Sequence, residues 1–195
     1  MSCSLATEPT TWLPFAQTLL GGALSLIGGL GGIYLTAHIQ QKRDRQSLAG
    51  AFAGEIGTIV HLIERRRYAE QLRQILDAPR EPEDVPVIYS FSVRQNYFRV
   101  YEANADKLGW LPATLANDVT RFYGLCASFL EDVADLRDAT LNPAQQALVL
   151  PTAWRRMEEM HKMLTDAVAL GRQCEARARK LAGGPDPPKD ARHTP

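Results

Sequence analysis

The residue types that carry chemistry are sparse in this chain and poorly spaced for it. Four histidines, His38, His61, His161 and His193, are scattered along the sequence. Glu158 and His161 form an E-x-x-H pair, half of the ligand set that a carboxylate di-metal bundle draws from two such pairs, and there is no second pair. Asp132, Asp135 and Asp138 repeat at three-residue spacing beside Glu131, which would gather oxygens for a cation. They lie off the apolar seam of their segment, however, and read as a solvated helix face. Arg65, Arg66 and Arg67 would suit phosphates of lipid or nucleic acid, but with Glu64 and Glu70 beside them they read the same way. The chain has no phosphate-binding loop, dinucleotide fingerprint, HExxH, CxxC or GxSxG motif. No catalytic residue, metal or cofactor is therefore expected. His161 is the one polar residue placed along an apolar seam, between Met157 and Leu164. It reads either as a core histidine bonded to a neighbour or as a buried, pH-responsive switch.

Composition narrows the partners. The 195 residues carry 22 basic and 22 acidic side chains, a formal net charge of zero, so no nucleic-acid partner is expected. Three cysteines are too few, and odd in number, for a disulfide framework. Cys126 and Cys174 fall on apolar seams and read as reduced, inert packing residues. Cys3 precedes the apolar run and would face an oxidising side, where it can bridge two chains. The mean hydropathy of −0.22 excludes a polytopic membrane protein but hides one strongly apolar segment.

That segment is Leu13 to Ala37, LPFAQTLLGGALSLIGGLGGIYLTA, with no charged side chain. As a helix it would be roughly 37 Å long, enough to cross a hydrocarbon layer of about 30 Å with some tilt. Trp12 and Tyr34 stand near its ends, where amphipathic rings prefer the interface. Only Glu8 is charged before it, whereas Lys42, Arg43 and Arg45 follow it. The positive-inside rule then puts the N-terminus outside and the body in the cytoplasm, with those three side chains at the lipid headgroups. The expected layout is an extracytoplasmic tail over 1–11, a transmembrane helix over 12–38, a helical bundle over 39–182 and a disordered tail over 183–195. Small residues Thr18, Gly21, Gly22, Ser25, Gly28, Gly29, Gly32 and Thr36 recur every three or four positions on one face of the span. Such a face lets two helices pack closely in lipid, so packing through Gly21, Gly22, Ser25, Gly28, Gly29 and Gly32 is expected, as a homo-oligomer or with another protein.

The body reads as all-α. Leu48, Phe52, Ile56, Ile59 and Ile63 step by four, four, three and four, one face of a helix that continues through Leu72 and Leu76 to Asp77. Ala78 to Pro86 is a Pro-rich loop. VIYSFSV after it is either a short strand, an extended segment or the opening of the next helix. A helix over Gln95 to Leu108 should stop at Gly109 as a C-cap. After Leu111–Pro112, Leu115, Val119, Phe122, Cys126, Phe129, Val133 and Leu136 step 4-3-4-3-4-3, the clearest seam in the chain. Asn142–Pro143 opens a last helix with a seam of Leu150, Trp154, Met157, His161, Leu164, Val168 and Gly171, kinked or restarted at Pro151 and ended by Gly183–Gly184. These helices make an antiparallel bundle.

The stretch YFRVYEANADKLGWLP, Tyr97 to Pro112, resembles a turn found in uncharacterised bacterial single-pass membrane proteins. Their layout is a Gly-rich N-terminal span, a basic stop and a cytoplasmic helical body. The resemblance implies a location in the bacterial inner membrane and no activity. Tyr97, Tyr101 and Trp110 would glue this corner to the bundle, and Asn104 and Asp106 would cap the helix end or hold a ligand. The reading that follows is a non-enzymatic, membrane-anchored scaffold or interaction protein with the bilayer and an unknown protein as partners. A signalling or defence component, and a membrane-bound enzyme with an acidic site, are the competing classes.

Overall fold

The computed structural model describes residues 12–79, 97–141 and 143–184, without the side chains of 12–31 and 139–151. The N-terminal tail with Cys3, most of the Pro-rich loop, VIYSFSV and the C-terminal tail lie outside the described residues. The described residues are all-helical: α1 Trp12–Arg65, α2 Tyr68–Asp77, α3 Arg99–Asn104, a 3-10 helix Ala105–Trp110, α4 Ala113–Leu141 and α5 Pro143–Leu181. The chain divides into two compact units, Met1–Asp44 and Arg45–Pro195.

In the first unit α1 is continuous from Trp12. Ile33, Tyr34, Leu35 and Ile39 are exposed there. Among the described residues no helix is long and apolar enough to cross a membrane. Most of the uncharged run Leu13–Ala37 has its side chains outside those residues.

In the second unit the apolar periodicities of α1 and α4 bury as the sequence predicts. Leu48, Phe52, Ile56, Ile59 and Ile63 of α1 are buried, and so is every member of the α4 seam from Leu115 to Leu136. Contacts between α4 and α5 run in opposite order, Asp135 to Arg156 and Asp118 to Arg177, so these helices are antiparallel. The same holds for α1 and α5, where Glu64 meets Arg172 and Gly50 approaches Ala182. Side chains of α1 and α4 crowd α5 at Gly171. A Cβ there would lie 2.5 Å from Val60 Cγ2 and 2.6 Å from the Phe122 ring, so only glycine fits.

Four local expectations are corrected. The helix read as continuous to Asp77 breaks at Arg66–Arg67, where Arg67 is left-handed, φ 54° and ψ 39°. The break re-aims the chain, and Tyr68, Leu72 and Leu76 of α2 are buried. An uninterrupted helix would have carried them on in the direction of α1. A left-handed conformation costs a non-glycine residue roughly 1–2 kcal/mol. Arg67→Gly should therefore raise stability by about 0.5–1 kcal/mol after the extra entropy of glycine in the unfolded chain. Urea denaturation with no gain in midpoint would refute this.

Gly109 is not a helix stop. The corner is a six-residue α3 followed by a 3-10 helix that passes through Gly109, and Leu111 N–H closes it on Leu108 C=O at 3.0 Å. The end of α5 does follow the glycine rule. Gly183 has φ +81°, its N–H donates to Lys180 C=O, and Gly184 N–H donates to Arg179 C=O, the two bonds of a Schellman cap.

On α5 the buried line is Ala153, Met157, Met160, Leu164, Ala167, Gly171, Cys174 and Ala178. Trp154, His161 and Val168 of the predicted seam flank this line, one position off it, and are half-buried. α5 is unbroken at Pro151 and does not restart there.

Candidate functional site

The most organised polar feature is a single carboxylate at the junction of α1, α3 and α4. Glu55 lies on α1 between Phe52 and Ile56, whose side chains are fully buried. Its Oε1 accepts a hydrogen bond from Val100 N–H at 2.7 Å, and its Oε2 accepts from Tyr101 N–H at 3.1 Å. Oε2 also accepts from the Tyr123 hydroxyl at 2.5 Å. The first turn of α3 has no cap of its own, because Phe98 precedes it and offers no acceptor side chain. A helix leaves its first N–H groups unpaired. Glu55 supplies the acceptor from 45 residues away, and its negative charge meets the positive end of the helix dipole.

The tyrosine is held as firmly as the carboxylate. Tyr123 is 2% exposed, stacks on Tyr101 with ring centroids 4.2 Å apart and an interplanar angle of 21°, and takes the Phe98 ring edge-on at 5.4 Å. Phe52 and Phe122 complete the cage. Burial, followed by the adjoining Glu55 carboxylate, pushes the Tyr123 hydroxyl far above its ordinary range, so it serves as a hydrogen-bond donor and not as an acid. The arrangement orders the corner of the chain.

Tyr97 and Tyr101 pack against the core as expected, but Trp110 is 47% exposed and does not glue the corner. Asn104 caps locally: its Nδ2 donates to Val100 C=O at 2.9 Å and its Oδ1 accepts from Lys107 Nζ at 3.1 Å.

The other predicted residues are not brought together. Gly21, Gly22, Ser25, Gly28 and Gly29 lie in α1 with their surroundings outside the description, and Gly32 is exposed with open space around it. Lys42 and Arg43 are exposed and Arg45 is half-buried. His161 is half-buried, not buried, and no buried polar residue occurs among the described residues. The sequence seam placed it centrally because the true contact line uses small residues.

Asp135 and Asp138 are exposed, as a solvated face requires. Partial burial pushes the carboxyl of Asp132 upward, against the pull of Arg156. No group of three possible metal ligands occurs among the described residues. Cys126 and Cys174 are buried thiols, pushed by burial up to about 12 and about 11, which keeps them protonated and unreactive.

Glu55 and Tyr123 escape the sequence reading. One signal was available: Glu55 is the lone charged side chain between Arg45 and Glu64, inside an otherwise apolar and small-residue stretch. Its partners, 45 to 68 residues away, have no local signature. No protein-family model, curated protein or solved structure matches the chain.

Proposed function

We propose that this chain is a non-enzymatic, single-pass membrane protein whose helical body serves assembly or interaction. The observation that carries this reading is the exposure of large apolar side chains near the end of the uncharged run. Ile33, Tyr34, Leu35 and Ile39 are 70%, 77%, 59% and 44% exposed. Successive positions 33, 34 and 35 point about 100° apart around a helix. One partner face cannot cover all three, whereas a bilayer covers a helix all round. Burial of each such side chain is worth about 1.5–3 kcal/mol. The uncharged run from Leu13 to Ala37 gives the span its length.

Lys42, Arg43 and Arg45 set the orientation, with the body on the cytoplasmic side of the bacterial inner membrane. The small face from Thr18 to Thr36 supports self-association within the bilayer. The ordered corner at Glu55 gives the body a fixed surface.

The test is a pair of fusions to alkaline phosphatase, which folds only outside the cytoplasm. Fused after Gly183 of the full chain, it should be silent while the protein stays in the membrane fraction through an alkaline wash. Fused through a second, exported span it should regain activity. Phosphatase activity after Gly183 alone would reverse the orientation, and recovery of the protein in the wash would remove the membrane anchor.

A further inference from the structure

We propose that the end of the helical body where α1 enters is a membrane-surface face, which docks on the anionic headgroups of the bilayer that holds the chain. The inference rests on the anchored reading and adds a second, peripheral contact to it. All of its residues belong to the second unit.

Three helix ends gather there. A Cβ on Gly50 of α1 would lie 3.7 Å from Ala182, one residue past the end of α5. Arg177 of α5 pairs with Asp118 of α4. These helices are antiparallel, so the start of α4 at Ala113 and the end of α5 at Leu181 both lie about 6–8 Å beyond that pair in the same direction. The 3-10 helix Ala105–Trp110 leads into α4 at this end. Arg45, Lys107, Trp110 and Lys180 therefore share one end of the body.

Their chemistry suits a lipid surface. Trp110 is 47% exposed, a large apolar ring left bare in the second unit. Indole rings favour the interface between headgroups and hydrocarbon. Lys180 is exposed, and Arg45 and Lys107 are half-buried. Lys107 donates to the neutral amide oxygen of Asn104, a bond that leaves its charge uncancelled. Arg179 is balanced by Glu175 and contributes little. Asp106 is the acid on the 3-10 helix and offsets one cation. The acids of α4, Glu131, Asp132, Asp135 and Asp138, gather in its last turns, toward the opposite end. Charge is thus segregated along the body, with the basic end at the tether. A soluble anion would use the cations and leave Trp110 without a role.

The tether is short enough. Gly50 is eleven positions after the exposed Ile39, and α1 is helical throughout, so the separation is at most about 16 Å. The headgroup layer fills about 5–8 Å of that. The remainder is close to the screening length of about 8 Å at physiological salt, so the cations lie within the field of an anionic leaflet.

The experiment reconstitutes the full chain in vesicles with Trp12→Phe and Trp154→Phe, which leaves Trp110 as its one tryptophan. The vesicles are phosphatidylcholine alone or phosphatidylcholine mixed with phosphatidylglycerol, and the neutral quencher acrylamide reads access to the ring. In the anionic vesicles Trp110 emission should shift to the blue and its quenching constant should fall about threefold. High salt should remove this protection. So should Lys107→Gln with Lys180→Gln, because each cation near an anionic surface contributes about fivefold to binding. The control carries Trp110→Phe as well and Ala134→Trp, exposed on the far part of α4, and should be quenched alike in both vesicles. A thermal melt equal to that of the parent confirms that the lysine variant is folded. Equal quenching of Trp110 in the two vesicles, with the chain floating with both, overturns the inference and leaves the anchor standing. Protection that survives high salt, or that the Ala134→Trp control shares, also overturns it. A chain that fails to float with either vesicle removes the anchor, and this face with it.

Discussion

Phe122→Asp should unfold the helical body or come close to it. Phe122 is fully buried in α4, and its ring lies against Gly171 of α5, beside Val60 of α1. Removing a buried phenylalanine side chain costs about 3–5 kcal/mol. A carboxylate in its place adds the cost of a buried charge for which the site offers no cation. The neighbouring atoms are the Tyr123 ring at 5.3 Å and, across the interface, the backbone at Gly171 and the Val60 side chain, so the pocket cannot collapse to fill the gap. The combined loss is at least about 5 kcal/mol, comparable to the whole stability of many domains. In a melt followed by circular dichroism of the purified full chain, the midpoint should fall by about 10–20 °C or the cooperative transition should vanish. A melting temperature equal to wild type would place Phe122 on the surface and dissolve the three-helix contact.

How much of the fold is legible in the sequence depends on the size of the residues at each contact. On α4 the contact line is built from large side chains, from Leu115 to Leu136, and the 4-3 spacing identifies each buried position. On α5 the same spacing misleads by one residue. There the buried line includes Ala153, Ala167, Gly171 and Ala178, which carry little hydrophobic weight, while Trp154 and Val168 carry much and lie at the flank. The break at Arg67 is hidden for a related reason. Nothing in the basic run forbids helix, and the turn is chosen by the burial of Tyr68, Leu72 and Leu76, a tertiary gain that outweighs a local strain. Gly109 looked like a helix stop, but the 3-10 turn needs no left-handed residue and the helix it would have ended is only six residues long.

Glu55→Ala is the substitution expected to separate the corner from the bundle. It deletes one side chain and strands three donors, the Val100 and Tyr101 amides and the Tyr123 hydroxyl. A partner left unpaired in a buried site costs about 1–3 kcal/mol, and bonds to a charged acceptor stand at the upper end. The two amides are at a helix end that water can reach once the carboxylate is gone, so their share is smaller. The Tyr123 ring is caged by Phe52, Phe98, Tyr101 and Phe122 and the residue is only 2% exposed, so its hydroxyl is not so rescued. The loss should be about 3–4 kcal/mol for Glu55→Ala. Tyr123→Phe removes one donor and leaves the carboxylate its two amides, so it should cost only about 1–2 kcal/mol. The double variant should then lose less than the sum of the two, by about 1 kcal/mol or more, because the hydroxyl can be stranded only while it exists. Hydrogen exchange gives a readout that general destabilisation does not mimic. In Glu55→Ala the amides of Val100 and Tyr101 should lose protection well before those of the α4 core. If the costs of the two single variants simply add, or if those amides exchange no faster than the α4 core, the cap across the interface is not what holds α3 in place.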